Sequence, residues 1–89
     1  MLSTDNFAPL VLVVDDSAAM RALFCDILDQ AKNVQVVGVA ANAAEARDRI
    51  DELKPNVLTL DVEMPGKSGI EFLAELMEDS PMPVVMLSS

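Results

Sequence analysis

Three short apolar runs, at residues 10–14, 57–60 and 84–87, constrain this chain more than anything else in it. The first has no polar residue at all, so it predicts a strand buried on both faces rather than one with a wet side; the second, broken only by Thr59, reads as a buried strand and the third as a further strand. Strands of that kind belong to parallel sheets covered by helices. Each run also stops abruptly: on Asp15-Asp16, on Asp61, and on Ser88-Ser89. The stretch around Asp61 is the sharpest, because Met64-Pro65-Gly66 follows at once and keeps the chain from turning helical immediately.

The segments between the runs have helical spacing. Ser17 is placed to cap a helix over Ala18–Gln30, with Asp16 at its positive end and Met20, Leu23, Phe24, Ile27 and Leu28 on one stripe. Ala31-Lys32-Asn33 breaks that pattern, and residues 34–39 read as a further strand. Asn42 is the expected cap of a second helix whose buried side is Ala43, Ala46, Ile50 and Leu53. Lys54-Pro55 ends it, since the residue before a proline resists the α region. A third helix is expected over residues 70–78 with Ile70, Leu73, Ala74 and Met77 on one face, stopped by Ser80-Pro81-Met82-Pro83. The order βαβαβαβ predicts an α/β fold with a doubly wound parallel sheet. Residues 1–8 are polar and aperiodic, a loose tail before a single domain at 9–89.

Composition narrows the possible functions. A net charge of −9 argues against nucleic acid and anionic membranes as partners, and favours a basic protein surface or a bound cation. The chain has no His, and its single Cys25 sits in an apolar helical pattern, so neither a Cys–His pair nor a His-based zinc site is available. No run approaches the ~18 apolar residues of a membrane span. The N-terminal residues lack both a positive region and an apolar core, so a cytoplasmic protein is expected. The six methionines fall within apolar stripes and read as core filling.

In a parallel α/β sheet the C-terminal strand ends share one edge, where ligands bind. If the first and third strands are neighbours, Asp15, Asp16 and Asp61 crowd into one small site. Like charges so placed raise one another's pKa, and a hard divalent cation resolves the repulsion. Mg2+, an exposed carboxylate and a hydroxyl at the next strand end together suit phosphoryl transfer onto Asp61.

The stretches Val13-Val14-Asp15-Asp16-Ser17, Leu60-Asp61-Val62-Glu63-Met64-Pro65 and Val84-Val85-Met86-Leu87-Ser88-Ser89 resemble the response-regulator receiver family of two-component signalling. Within it, residues 59–73 and 81–89 are most similar to the receivers of chemotaxis protein-glutamate methylesterases, chiefly through Glu63 and the paired serines. The resemblance implies a flavodoxin-like sheet with strand order 2-1-3-4. It implies Asp61 as acceptor of a phosphoryl group from a sensor histidine kinase. Mg2+ would be held by the side chains of Asp16 and Asp61, the backbone carbonyl of Glu63, and Asp15 through a water. Ser88 would be the switch hydroxyl, Met64 and Pro65 would shape the loop behind Asp61, and Gly69 would open the next helix. The domain would be a regulatory phosphoacceptor, not an enzyme.

Two departures from the family pattern stand out. Ser68 replaces a common Asp before the glycine, which still leaves a capping residue there. The family also continues past the fourth strand with a helix, a lysine-bearing fifth strand and a last helix, whereas this sequence stops at Ser89. Neither Lys54 nor Lys67 lies where that lysine should be. Without the last strand and helix, the fourth-strand edge and one sheet face stay open, so the expectation is a chain marginal as a monomer or self-associating through them, the alternative being that the sequence is part of a longer product. Two other readings compete with the phosphoacceptor. One is a phosphorylation-incompetent interaction fragment. The other is a Mg2+-dependent phosphohydrolase, for which Glu63 is a poor stand-in for the required general acid.

Overall fold

The computed structural model describes residues 8–87. Along the chain run β1 (Leu10–Val14), α1 (Ala18–Gln30), β2 (Gln35–Ala40), α2 (Ala43–Leu53), β3 (Val57–Asp61), α3 (Gly69–Asp79) and β4 (Val84–Leu87). The four strands form one parallel sheet in the order β2-β1-β3-β4. The expected doubly wound α/β fold and its strand order are both present, and β1 and β3 are central neighbours. Of the expected tail, residues 1–7 lie outside the described residues, as do Ser88 and Ser89.

Local chemistry sets the helix boundaries. Each helix opens on a capping side chain that accepts an otherwise unpaired N–H. Ser17 Oγ accepts from Met20 at 3.2 Å, Asn42 Oδ1 from Glu45 at 2.9 Å, and Ser68 Oγ from Glu71 at 3.2 Å. Glu71 returns a carboxylate oxygen to the Ser68 N–H, completing a capping box. α2 ends at Lys54, which turns left-handed with φ 50° immediately before Pro55. A non-glycine residue there costs roughly 1–2 kcal/mol, so the proline enforces the stop against a local preference.

The sheet has two unlike faces. Leu12, Val14, Ala40, Leu58 and Leu60 point to one side, where they pack with Ala46 of α2 and with Phe72 and Leu76 of α3. A bulge in β2, opposite Val11 and Leu12, turns Gly38 to this same side. There Leu53 and Leu12 occupy the space a side chain would need. Val11 and Val13 face the other way and are buried too.

On that second face lies α1, which has no fully buried residue. Two members of its expected stripe are largely open, Leu23 at 48% and Ile27 at 53% exposure. The reason is coverage: α1 packs on β1 and β2, leaving Val39 and Val85 exposed beside it. This is the surface that the expected self-association would use. Among the described residues no helix is long and apolar enough to cross a membrane.

The orientation of α3 corrects the sequence expectation. Ile70, Ala74 and Met77 face outward, Ile70 being 61% exposed, and only Leu73 of the expected face is partly buried. The inward face is instead Gly69, Phe72 and Leu76. The helix begins pressed against the end of β3, with the Gly69 N–H donating to the Val62 carbonyl at 2.8 Å. That contact sets the rotation of the helix and brings Phe72, the largest fully buried side chain, onto the core.

Phe72→Ala should therefore cost about 3–5 kcal/mol in urea unfolding. Ile70→Ser should stay within about 0.5 kcal/mol. Equal losses at both positions would contradict this orientation of α3.

Candidate functional site

β1 delivers two acids in different settings. The Asp15 N–H remains part of the sheet, donating to the Ala40 carbonyl at 3.0 Å, and its side chain turns back so that Oδ1 accepts the Ser17 N–H at 2.9 Å. Asp15 is thus buried, whereas Asp16, one residue further, is exposed. β3 runs one residue longer than its apolar run, placing Asp61 in register with Leu87 of β4. Asp61 is 6% exposed, and its Oδ1 accepts the Glu63 N–H at 3.2 Å.

Because β1 and β3 are adjacent, one oxygen from each of Asp15, Asp16 and Asp61 lies within 4.8 Å of the others. None of the three takes part in a salt bridge among the described residues. Burial pushes the Asp61 carboxyl above its ordinary range. The Glu63 N–H pulls it back, and the negative charges of Asp15 and Asp16 push it up again.

The loop behind Asp61 is fixed at several points. The Val62 N–H donates to the Leu87 carbonyl at 3.1 Å, and Met64 tucks into the core at 8% exposure. Pro65 stays exposed at the corner, and Gly66 follows it with φ 81°, a left-handed conformation that glycine adopts without strain. Lys67 Nζ reaches both carboxylate oxygens of Glu75 on α3 at 2.6 Å, drawing the Glu75 carboxyl below its ordinary range. Gly69 is the tightest point. A Cβ there would meet the backbone carbonyl of Asp61 and the Val62 Cα, and backbone has no room to move aside.

Asp15, Asp16, Ser17, Asp61 and Glu63 line an open cleft whose walls are Met20, Met64, Pro65 and Ile70. The structure thus brings every expected site residue but two to this cleft: Gly69 sits behind it against the end of β3, and Ser88 lies outside the described residues. The donor set fits a hard divalent cation: oxygen only, clustered, and without a positive side chain paired to it. One residue went unnoticed in the sequence. Arg21 of α1 donates from Nη1 to the Asp15 carbonyl at 2.9 Å. No charge pattern signals this contact, because the acceptor is a backbone atom.

A regulatory receiver of the α/β type is the class that this fold and acid cleft define, and known proteins agree. Residues 11–89 match the response regulator receiver domain, and the chain belongs to that family. Among curated relatives, it is 56% identical over 79 residues to a protein-glutamate methylesterase/protein-glutamine glutaminase of Dechloromonas aromatica, and 54% identical to one of Agrobacterium fabrum. These matches cover 89% of this chain but only 23% and 22% of the relatives' lengths. Among solved structures, the response regulator domain of Thermotoga maritima CheB superposes with a TM-score of 0.86 at 48% identity, covering 92% of this chain and 61% of that one. CheY in a CheX-CheY-BeF3-Mg complex from Borrelia burgdorferi gives a TM-score of 0.82 at 29% identity, over 92% of this chain and 63% of that one.

Gly69→Ala should destabilise the domain by about 2–3 kcal/mol in urea titrations, since the new methyl has to displace the end of β3. A change under about 0.5 kcal/mol would show that the end of β3 moves freely. Asp61→Asn should act in the opposite direction. A raised folded pKa means that the group's contribution to stability is present in acid and lost as pH rises through that pKa. Removing the charge should therefore raise the metal-free melting temperature at pH 7 by a few degrees, a gain that fades as pH falls through the Asp61 pKa. A lower melting temperature at pH 7 would contradict the electrostatic account.

Proposed function

We propose that Asp61 accepts a phosphoryl group from the phosphohistidine of a sensor histidine kinase, in a Mg2+-dependent reaction. The observation that carries this reading is one carboxylate, buried at the end of a central strand, that opens into a cleft shared with two others. The side chains of Asp16 and Asp61 and the backbone carbonyl of Glu63 would hold Mg2+, with Asp15 acting through a water. When bound, the cation supplies neutralisation of charge on the transferring group.

The chain's own residues position the nucleophile. The Glu63 N–H fixes the Asp61 carboxyl plane, and Gly69 lets α3 brace the backbone behind it. A carboxylate oxygen bonds to phosphorus as the donor's N–P bond breaks, and the imidazole nitrogen keeps the electron pair. Alignment then does most of what the protein contributes. Ser88 follows Leu87, the register partner of Asp61, and would hydrogen-bond the phosphoryl group.

The domain's role in this reading is regulatory, in cytoplasmic two-component signalling of the chemotaxis kind. In a protein as long as its relatives, phosphorylation would control a methylesterase and glutaminase activity like the one their names state. That activity would reside outside residues 1–89. The exposed Glu63 side chain gives little support to a phosphohydrolase, which needs an acid held beside its nucleophile.

Incubation with acetyl phosphate followed by intact-mass measurement tests the reading. A single added phosphoryl group is expected that requires Mg2+ and is lost in Asp61→Asn. A folded sample that stays unmodified, or one modified equally in Asp61→Asn, would overturn it.

A further inference from the structure

The chain has 15 acidic and 6 basic residues, so every cation has carboxylates to choose from. Arg47 pairs with two, Glu75 and Asp79, and Arg49 and Lys67 with one each, while the exposed Lys32 and Lys54 make no salt bridge among the described residues. Arg21 too makes no salt bridge among the described residues, and its guanidinium instead donates to the Asp15 carbonyl at 2.9 Å. Arg21 stands one turn into α1, its own N–H bonded to the Ser17 carbonyl at 2.9 Å. Helical side chains lean toward the N-terminus, which carries the guanidinium back over the cap to the acid pair.

The carbonyl that it grips belongs to the peptide joining Asp15 to Asp16. A peptide is planar, so fixing its oxygen also fixes the direction of the Asp16 N–H and the course of the chain into Asp16. Asp15 is then held at three points: its N–H by Ala40, its Oδ1 by Ser17 and its carbonyl by Arg21. Asp16 is exposed, with its side chain against the Asp61 carboxyl, and the pinned peptide before it fixes the backbone from which that side chain leaves. A charge-assisted bond of this kind is stronger than a neutral one, as a clamp next to mutually repelling acids requires.

We propose that Arg21 is a positioning residue of the acid site, locking the Asp15–Asp16 peptide so that Asp16 meets the cation in a preset direction. This rests on the Mg2+-binding reading of the cleft. The competing role for Arg21, a nearby positive charge that merely relieves repulsion, has the opposite consequence. A counter-charge opposes an incoming cation, so its removal tightens Mg2+ binding; a clamp organises the ligands, so its removal weakens it.

Titration calorimetry with Mg2+ alone distinguishes the two on the 89-residue chain. Arg21→Met, which keeps the apolar stem, should raise the Mg2+ Kd about tenfold, the scale of lost outer-shell support. Arg21→Lys, still a charged donor, should stay within about threefold of the unmodified chain. In the metal-free protein, the Asp16 amide resonance should shift and exchange faster with solvent in Arg21→Met but not in Arg21→Lys. Arg21→Gln, shorter and uncharged, is measured alongside so that a folding defect in the Met variant leaves the test intact. A Kd in the folded Met or Gln variant at or below that of the unmodified chain would overturn the clamp while leaving the Mg2+ site standing. Absence of Mg2+ binding by the unmodified chain would overturn both.

Discussion

Mutual repulsion among three carboxylates is the constraint around which this domain is arranged. Two adjacent parallel strands each end in acid, and the sheet geometry brings oxygens of Asp15, Asp16 and Asp61 within 4.8 Å of one another. A fold that only had to be stable would separate them. Here the backbone holds them in place: the Ser17 N–H binds Asp15, the Glu63 N–H binds Asp61, and Arg21 grips the peptide between the first two. The apolar core beneath, built from β1, β3, α2 and α3, supplies the stability that the edge gives up.

Much of this was legible in the residues. Short apolar runs identified β1, β3 and β4, and Ser17 and Asn42 marked the starts of α1 and α2. The acid cluster follows from parallel, adjacent strands, because their C-terminal ends in such a sheet share one edge. Small displacements remained: β2 extends to Ala40, whose carbonyl the Asp15 N–H captures, and α3 starts at Gly69 rather than Ile70.

What escaped the sequence was tertiary in origin. Periodicity alone cannot rank two candidate faces of α3, and the stripe through Ile70 and Met77 looked as apolar as the one through Phe72 and Leu76. The deciding contact, Gly69 against the end of β3, joins two elements and leaves no mark in helical spacing. Arg21 was missed for a related reason: a side chain binding a backbone carbonyl obeys no charge pattern. The receiver resemblance supplied the role of Glu63, which composition and spacing leave open.

The unequal covering of the sheet bears on the acid site as well. α2 and α3 seal one face, while α1 rests on the other with Leu23 and Ile27 half in water. α1 is thus the one helix of the three with no fully buried residue. Arg21 rides on that helix, so order in the Asp15–Asp16 peptide is coupled to how firmly α1 is seated. Any surface that settles against Leu23 and Ile27 would bear on the same helix that carries the guanidinium to the acid pair. The exposed side of α1 is in that sense a remote handle on the cleft.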